Sequence, residues 1–358
     1  MERQAVIPPF QVLQQFIADG HASMGSGLIG RGDRRFGPVT FGTVSFFPEA
    51  GPPPADPIYD LASLTKVVAT TTAVLILLER GVVRLDARLG SFWPGIPDDK
   101  QNITIRQLLT HTAGLAPWLP VYTAVDHRSE AVRWILEQPL KAKPGAEVAY
   151  SCMGFIVLGM LVEHLTDVGF DIFAEEYIFE PLRMHETTYN PEPTALARIP
   201  FTEWCPRRNA FLRGIVHDEN AQRMAGVSGN AGLFSTVADL ARFCRCLLER
   251  GQGPGGPLLS SLTVELLFCN HTPGFREARS LGWLAKDNTA SSGGDLLSGK
   301  AIGHTGFTGT SIWIDPALDA FFILLTNRVH PNRQNPEIIQ MRPRFHNAAA
   351  AFLAKGVD

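Results

Sequence analysis

The sequence predicts an α+β fold in which both chain ends build one antiparallel sheet, covered by helices and carrying a mostly helical insertion. Two observations predict it. Strand-like runs cluster near the ends, at 22–29 and 39–47 and again at 281–285, 310–314 and 321–326. Helical periods fill the middle of the chain. The expected division is a sheet unit made of 1–62 and 225–358 and a helical unit of 63–224, together one catalytic unit. A chain of 358 residues, 45% hydrophobic and 19% charged, is long enough for a large core.

Taken in order, residues 11–17 read as a short amphipathic helix. The two following strands are joined by the turn-rich Gly30-Arg31-Gly32-Asp33, and Gly51-Pro52-Pro53-Pro54 is a loop that cannot pair in a sheet. From Ser63 onward, Leu64, Val67, Val68, Thr71, Val74, Leu75 and Leu78 keep a helical period until Gly81. Ile76 and Leu77 make this helix apolar on other faces too, so it is expected at the centre of the protein. Thr104-Ile105-Arg106-Gln107 is a capping box, with Gly114 as the expected stop. Residues 153–165 form another amphipathic helix. Glycine-rich loops at 251–257 and 290–299 punctuate the C-terminal strands, and 344–353 reads as the last helix.

Composition excludes several functions. Lys and Arg number 32 against 35 Asp and Glu, a net charge of −3, and no basic stripe suggests a nucleic-acid partner. The five cysteines, Cys152, Cys205, Cys244, Cys246 and Cys269, are odd in number and contain no C-x-x-C pair. They read as reduced thiols in a cytoplasmic protein. The start, Met1-Glu2-Arg3-Gln4, lacks the pattern of a signal peptide. The longest apolar run, 67–78, is interrupted by three threonines and is too short for a bilayer, so no membrane partner is expected.

The stretch with most chemistry is Ser63-Leu64-Thr65-Lys66. A hydroxyl and an amine three residues apart share a helix face, and an unprotonated lysine can activate a serine as nucleophile. Alone, the tetrapeptide also reads as an N-cap serine with a solvated lysine. Three later features add to it. Tyr150-Ser151-Cys152 follows Pro144-Gly145 at the mouth of a helix, where a tyrosine beside a cation can shuttle protons. His304-Thr305-Gly306 precedes Phe307, with a glycine that admits close backbone approach. Leu108-Leu109-Thr110-His111-Thr112-Ala113-Gly114-Leu115 lies between Ser63 and Tyr150.

In this order, from about residue 58 to the C-terminus, these motifs resemble the serine β-lactamase and penicillin-binding superfamily. The nearest branch is the class C-like serine hydrolases with the family VIII esterases. Pro181-Leu182-Arg183-Met184 and Ala231-Gly232-Leu233-Phe234-Ser235-Thr236 fit that branch too. The resemblance implies a β-lactamase-like fold and a two-step acyl transfer without metal or cofactor. It implies Ser63 as nucleophile, Lys66 as its proton partner and Tyr150 as second general base. The backbone N–H groups of Ser63 and Phe307 would form the oxyanion hole, and Cys152, His304, Thr305, Gly306 and His217 would meet substrate. Either Lys66 or Tyr150 can be the base in acylation.

Two departures shape the substrate. Cys152 stands where the family has an asparagine that donates to the amide of a drug, and a thiol is a poor hydrogen-bond partner. His304 stands where the family has lysine, a permanent cation suited to a β-lactam carboxylate; histidine is only partly charged near neutrality. Both changes favour ester cleavage, so the expected function is a carboxylesterase on small esters. Alternatives are an amidase or D-peptidase on muropeptide fragments, a weak β-lactamase, and a non-catalytic ligand-binding module. The expected partner is therefore a small ester or amide, with oligomeric state left open. No G-x-S-x-G or H-E-x-x-H motif occurs. Cys244 and Cys246 read as helix-face packing, His217-Asp218-Glu219-Asn220 as a loop near the site, and His111 as support behind it.

Overall fold

The computed structural model describes residues 7–47, 51–286 and 291–356. Residues 1–4, and residue 290 of the second glycine-rich loop, lie outside them. Six strands form the main sheet: β1 (Met24–Arg31), β2 (Arg34–Gly42), β3 (Leu284–Ala285), β4 (Ile302–Thr305), β5 (Ser311–Asp315) and β6 (Ala320–Thr326). Their order is β3-β4-β5-β6-β1-β2, every neighbour antiparallel. Both chain ends meet in the β1–β6 pairing, where Gly27 faces Leu324 and Arg31 faces Ala320.

Strand alternation sorts the sheet residues into two apolar layers. Leu28, Ile312, Ile314, Ile323 and Leu325 enter the large inner core, which also holds Val67, Val68, Phe155 and Phe243. Ile29, Trp313, Phe322 and Leu324 point the other way. There they meet Phe10 and Leu13 of α1 (Pro8–Ala18) and Phe345 and Ala349 of the C-terminal helix (Ile338–Ala354). Each large apolar side chain so buried contributes roughly 1.5–3 kcal/mol.

Local details depart from the sequence expectation. The β1–β2 turn is the two-residue Gly32-Asp33, since Arg31 pairs with Arg34. The second strand runs 34–42 rather than 39–47, ending at Gly42, whose φ of +87° turns the chain. The strand expected at 281–285 pairs only at its last two residues. The capping box at Thr104 is present, with Gln107 N–H donating to Thr104 Oγ1 at 3.2 Å and Thr104 N–H to Gln107 Oε1 at 3.0 Å. That helix stops at Leu109, however, because His111 takes a left-handed φ of +57° before Gly114 is reached.

The apolar segment after Ser63 is the deepest element. It is not one regular helix: a 3-10 turn (Ala62–Leu64) leads into a π-helical turn (Lys66–Thr71) and then α2 (Thr72–Glu79). Threonine hydroxyls explain the widening. Thr71 Oγ1 donates to the Lys66 carbonyl at 2.8 Å and Thr72 Oγ1 to the Val67 carbonyl at 3.1 Å, each five residues back. The span 62–79 is 18 residues long and apolar enough to cross a membrane, but 83% of it is buried inside the protein.

Candidate active site

Ser63 sits at the floor of a cleft of about 390 Å³, which Tyr150, His304, Thr305, Gly306 and Phe307 also line. Ala62, just before it, has a φ of +47°, a left-handed conformation that aims the serine out of the buried segment. One turn on, Lys66 is fully buried. Its Nζ donates to Ser63 Oγ at 3.0 Å, to the Asn230 carbonyl at 2.9 Å and to Cys152 Sγ at 3.4 Å. Three acceptors around one nitrogen suit an ammonium, which has three protons to give. Burial works against that charge, but the neighbouring Cys152 and Tyr150 outweigh it and hold Lys66 above its usual value.

Tyr150 is hung from His111. Ala149 N–H donates to the His111 carbonyl at 2.9 Å and Ser151 N–H to His111 Nδ1 at 3.0 Å. The two rings lie 4.6 Å apart. The left-handed His111 therefore grips the residues on both sides of Tyr150. Ser151 then caps the helix Cys152–Thr166 through Gly154 N–H. Lys66 Nζ lies 5.0 Å from the centre of the Tyr150 ring. Burial raises the phenol, while the Lys66 charge and hydrogen bonding with Lys66 and Ser63 pull it partly back. Ser63, Lys66 and Tyr150 thus form one proton-sharing cluster whose titration belongs to the group.

His304 is buried, and burial with the charges of Lys66 and Arg279 lowers it well below the ordinary histidine value. It is neutral at pH 7 rather than partly charged. Its Nδ1 lies 2.9 Å from the Thr305 carbonyl, which only accepts, so Nδ1 carries the proton and Nε2 is a bare acceptor. Gly306 has no room for a side chain, since a Cβ there would run into Thr310 Oγ1 and the Leu61 carbonyl. That close approach sets Phe307 at the cleft edge, where the residue is 47% exposed.

His217 is not among the residues lining the cleft. It is buried, its Nε2 2.9 Å from Glu203 Oε2, and its ring stacks 5.6 Å from that of Phe307. Any contact with substrate would run through Phe307. Cys152 is likewise not among the lining residues; it is half-buried against Lys66. Cys244 and Cys246 are buried on the helix Val237–Leu248. Among the described residues no cluster of His, Cys, Asp and Glu could hold a metal ion.

Sequence reasoning missed four residues. Arg279, Arg328 and Arg342 line the cleft. Arg279 is paired with Glu277 at 2.5 Å and lies 5.5 Å over the Tyr150 ring. Arg342 donates to the Gly306 and Thr310 carbonyls at 2.6 and 3.0 Å, and Arg328 donates to the Phe307 carbonyl at 2.7 Å. Neither has a carboxylate in ion-pair contact among the described residues. Burial pushes Arg342 down to about 9, still charged at neutrality. No local pattern marks these arginines; their convergence is tertiary. The fourth residue, Asp60, stood out in principle as a carboxylate inside the apolar run Ile58-Tyr59-Asp60-Leu61.

Comparison with known proteins shows the family and the fold. The beta-lactamase family model matches residues 39–340. An N-acetylmuramyl-L-alanine amidase of Bacillus subtilis is 31% identical over 312 residues, covering 78% of this chain and 70% of that protein. A penicillin-binding protein homologue from Caulobacter crescentus superposes with a TM-score of 0.78 at 18% identity, covering 97% of this chain and 99% of that one. The simvastatin synthase LovD from Aspergillus terreus superposes with a TM-score of 0.75 at 22% identity, covering 98% and 100%. These solved structures share the fold. The chain belongs to the beta-lactamase family of serine hydrolases.

Proposed function

We propose that the protein hydrolyses small carboxylic esters through an acyl-enzyme on Ser63. The observation that carries this reading is the 3.0 Å bond from buried Lys66 Nζ to Ser63 Oγ at the base of an open cleft. Ser63 Oγ attacks the ester carbonyl, and its proton passes into the Lys66–Tyr150 pair. The oxyanion is met by the backbone N–H groups of Ser63 and Phe307, each donor of this kind being worth about 3–4 kcal/mol in other hydrolases. The C–O bond breaks, and the leaving alkoxide takes its proton from Tyr150. Water, deprotonated by the same pair, then attacks the acyl-enzyme and frees Ser63 and the acid. Cys152 offers no amide-type donor and His304 no cation, so nothing at those positions selects an amide or a β-lactam. Hydrolysis of a short-chain p-nitrophenyl ester by wild type and Ser63→Ala tests this. Activity lost in the variant supports it; equal activity in both defeats it.

A second reading rests on the arginines. With Glu277 as the one carboxylate paired to the three guanidiniums among the described residues, the cleft favours a substrate with its own acid group. The amidase name of the Bacillus subtilis relative supports cleavage of acidic peptidoglycan fragments. Faster turnover of such fragments than of neutral esters at equal concentration would favour it.

A further inference from the structure

Asp60 is a buried carboxylate three residues before the nucleophile. Its Oδ1 accepts from Ala62 N–H at 2.9 Å, and its Oδ2 accepts from His217 N–H at 2.6 Å. Ala62 is the left-handed residue that orients Ser63. His217 carries the ring stacked on Phe307. The Asp60 main chain adds a third tie, its carbonyl accepting from Thr308 Oγ1 at 2.7 Å, directly after Phe307. Thr310 Oγ1 does the same for the Leu61 carbonyl at 3.0 Å. The two N–H groups assigned above to the oxyanion hole lie on segments distant in sequence, and Asp60 is bonded to the neighbours of both.

We infer that Asp60 is a positioning residue for acyl transfer, its carboxylate fixing the Ser63 and Phe307 N–H groups relative to one another. This rests on the acyl-enzyme reading. The hole works only if both donors reach the oxygen as its charge develops, and a misplacement of about 1 Å costs on the order of a hundredfold in rate. A carboxylate suits the task because it accepts on both oxygens. An amide presents one acceptor and one donor, so Asp60→Asn sets an N–H against either Ala62 or His217 N–H. Burial raises Asp60, and the His217 and Ala62 N–H groups pull it back, as expected for a group kept for its acceptors.

The test uses p-nitrophenyl acetate with kcat normalised to active sites titrated by the burst of p-nitrophenol, so that misfolded protein is not counted. Asp60→Asn is expected to lower kcat per site about a hundredfold with KM within about threefold. It is also expected to weaken a phenylboronic acid, whose tetrahedral adduct on Ser63 mimics the oxyanion, at least tenfold. A kcat per site within twofold of wild type and unchanged boronate affinity would overturn the inference. Should Asp60→Asn fail to fold, His217→Ala decides. It keeps the backbone N–H but removes the ring against Phe307, so kcat should fall about tenfold at constant KM, and an unchanged kcat overturns the inference. Ser63→Ala separates the two claims. Activity that survives in Ser63→Ala sinks the acyl-enzyme reading and this inference with it, whereas Ser63-dependent activity with a normal Asp60→Asn sinks the inference alone.

Discussion

Replacing Lys66 by methionine should abolish turnover and leave the stability of the fold nearly unchanged. Lys66 is fully buried with no carboxylate among its hydrogen-bond partners; its ammonium is held by two oxygens and a sulfur. Bonds from a charged donor contribute about 1.5–3 kcal/mol each, less for the 3.4 Å contact to sulfur, so the set supplies roughly 4–6 kcal/mol. Removing an ammonium from water costs several kcal/mol, a comparable amount. Methionine matches the length of the aliphatic stem, fills the site and carries no desolvation cost. It leaves the Asn230 carbonyl without its lysine donor, a loss of about 1–3 kcal/mol. The net change should therefore lie within about 2 kcal/mol of zero, a few degrees in Tm at most. Catalysis has no such compensation. Losing the proton partner of a serine should lower kcat by about 10³ or more, since a positioned base alone gives 10²–10⁴. Thermal unfolding and ester hydrolysis, measured on the same preparation, decide. Activity within tenfold of wild type would refute the role of Lys66. A Tm lower by more than about 10 °C would refute the energetic balance.

Other outcomes follow from the same geometry. Because Lys66 and Tyr150 are both held above their usual values, the resting cluster at pH 7 carries one proton too many to accept that of Ser63. Ester kcat/KM, corrected with Ser63→Ala as blank, should rise from pH 6 to 9 with a slope near one on logarithmic axes; a flat profile contradicts the shared proton. Glu203 is held down to about 2, burial being outweighed by His217 and Arg333. A lowered carboxylate stabilises the fold above its unfolded value, and that stability is lost as pH falls through the folded one. Glu203→Gln should therefore lower Tm at pH 7, with the difference from wild type shrinking between about pH 4.5 and 2; a constant difference across that window argues against the ion pairs. Arg279→Gln should raise KM about tenfold for substrates bearing a carboxylate and leave neutral esters within twofold, while equal effects on both would remove the anionic-substrate reading. Cys152→Asn should shift the ratio of nitrocefin to ester kcat/KM upward by about tenfold, since it supplies the missing amide donor; an unchanged ratio would show that this position does not select substrate.

Much of this architecture was legible because it is local. The short strand-like runs at 321–326 and 310–314 marked the central strands, and their β-branched and aromatic content left little ambiguity. The Thr104–Gln107 capping box was readable from four letters, and its two reciprocal bonds are formed. Ser63 and Lys66 were expected to be neighbours through helical spacing. They are neighbours, but across a junction from a 3-10 turn to a π-helical turn that spacing rules do not register. What stayed hidden depends on distant segments. The neutrality of His304 comes from burial beside Lys66 and Arg279, and the histidine itself gives no sign of it. Arg342 enters the cleft from the C-terminal helix, and Asp60 reaches His217 across 157 positions while also holding Ala62. His111, read as support behind the site, holds the residues on both sides of Tyr150 from a left-handed conformation, and the helix ends there, ahead of the stop expected at Gly114.

The central claim is a covalent intermediate on Ser63. Mass spectrometry of the protein quenched during turnover of a slowly hydrolysed ester tests it most directly. The account predicts one acyl group, located on the peptide that contains Ser63 and absent from Ser63→Ala. Full turnover with no adduct, or an acyl group carried on Cys152 and retained in Ser63→Ala, would contradict it.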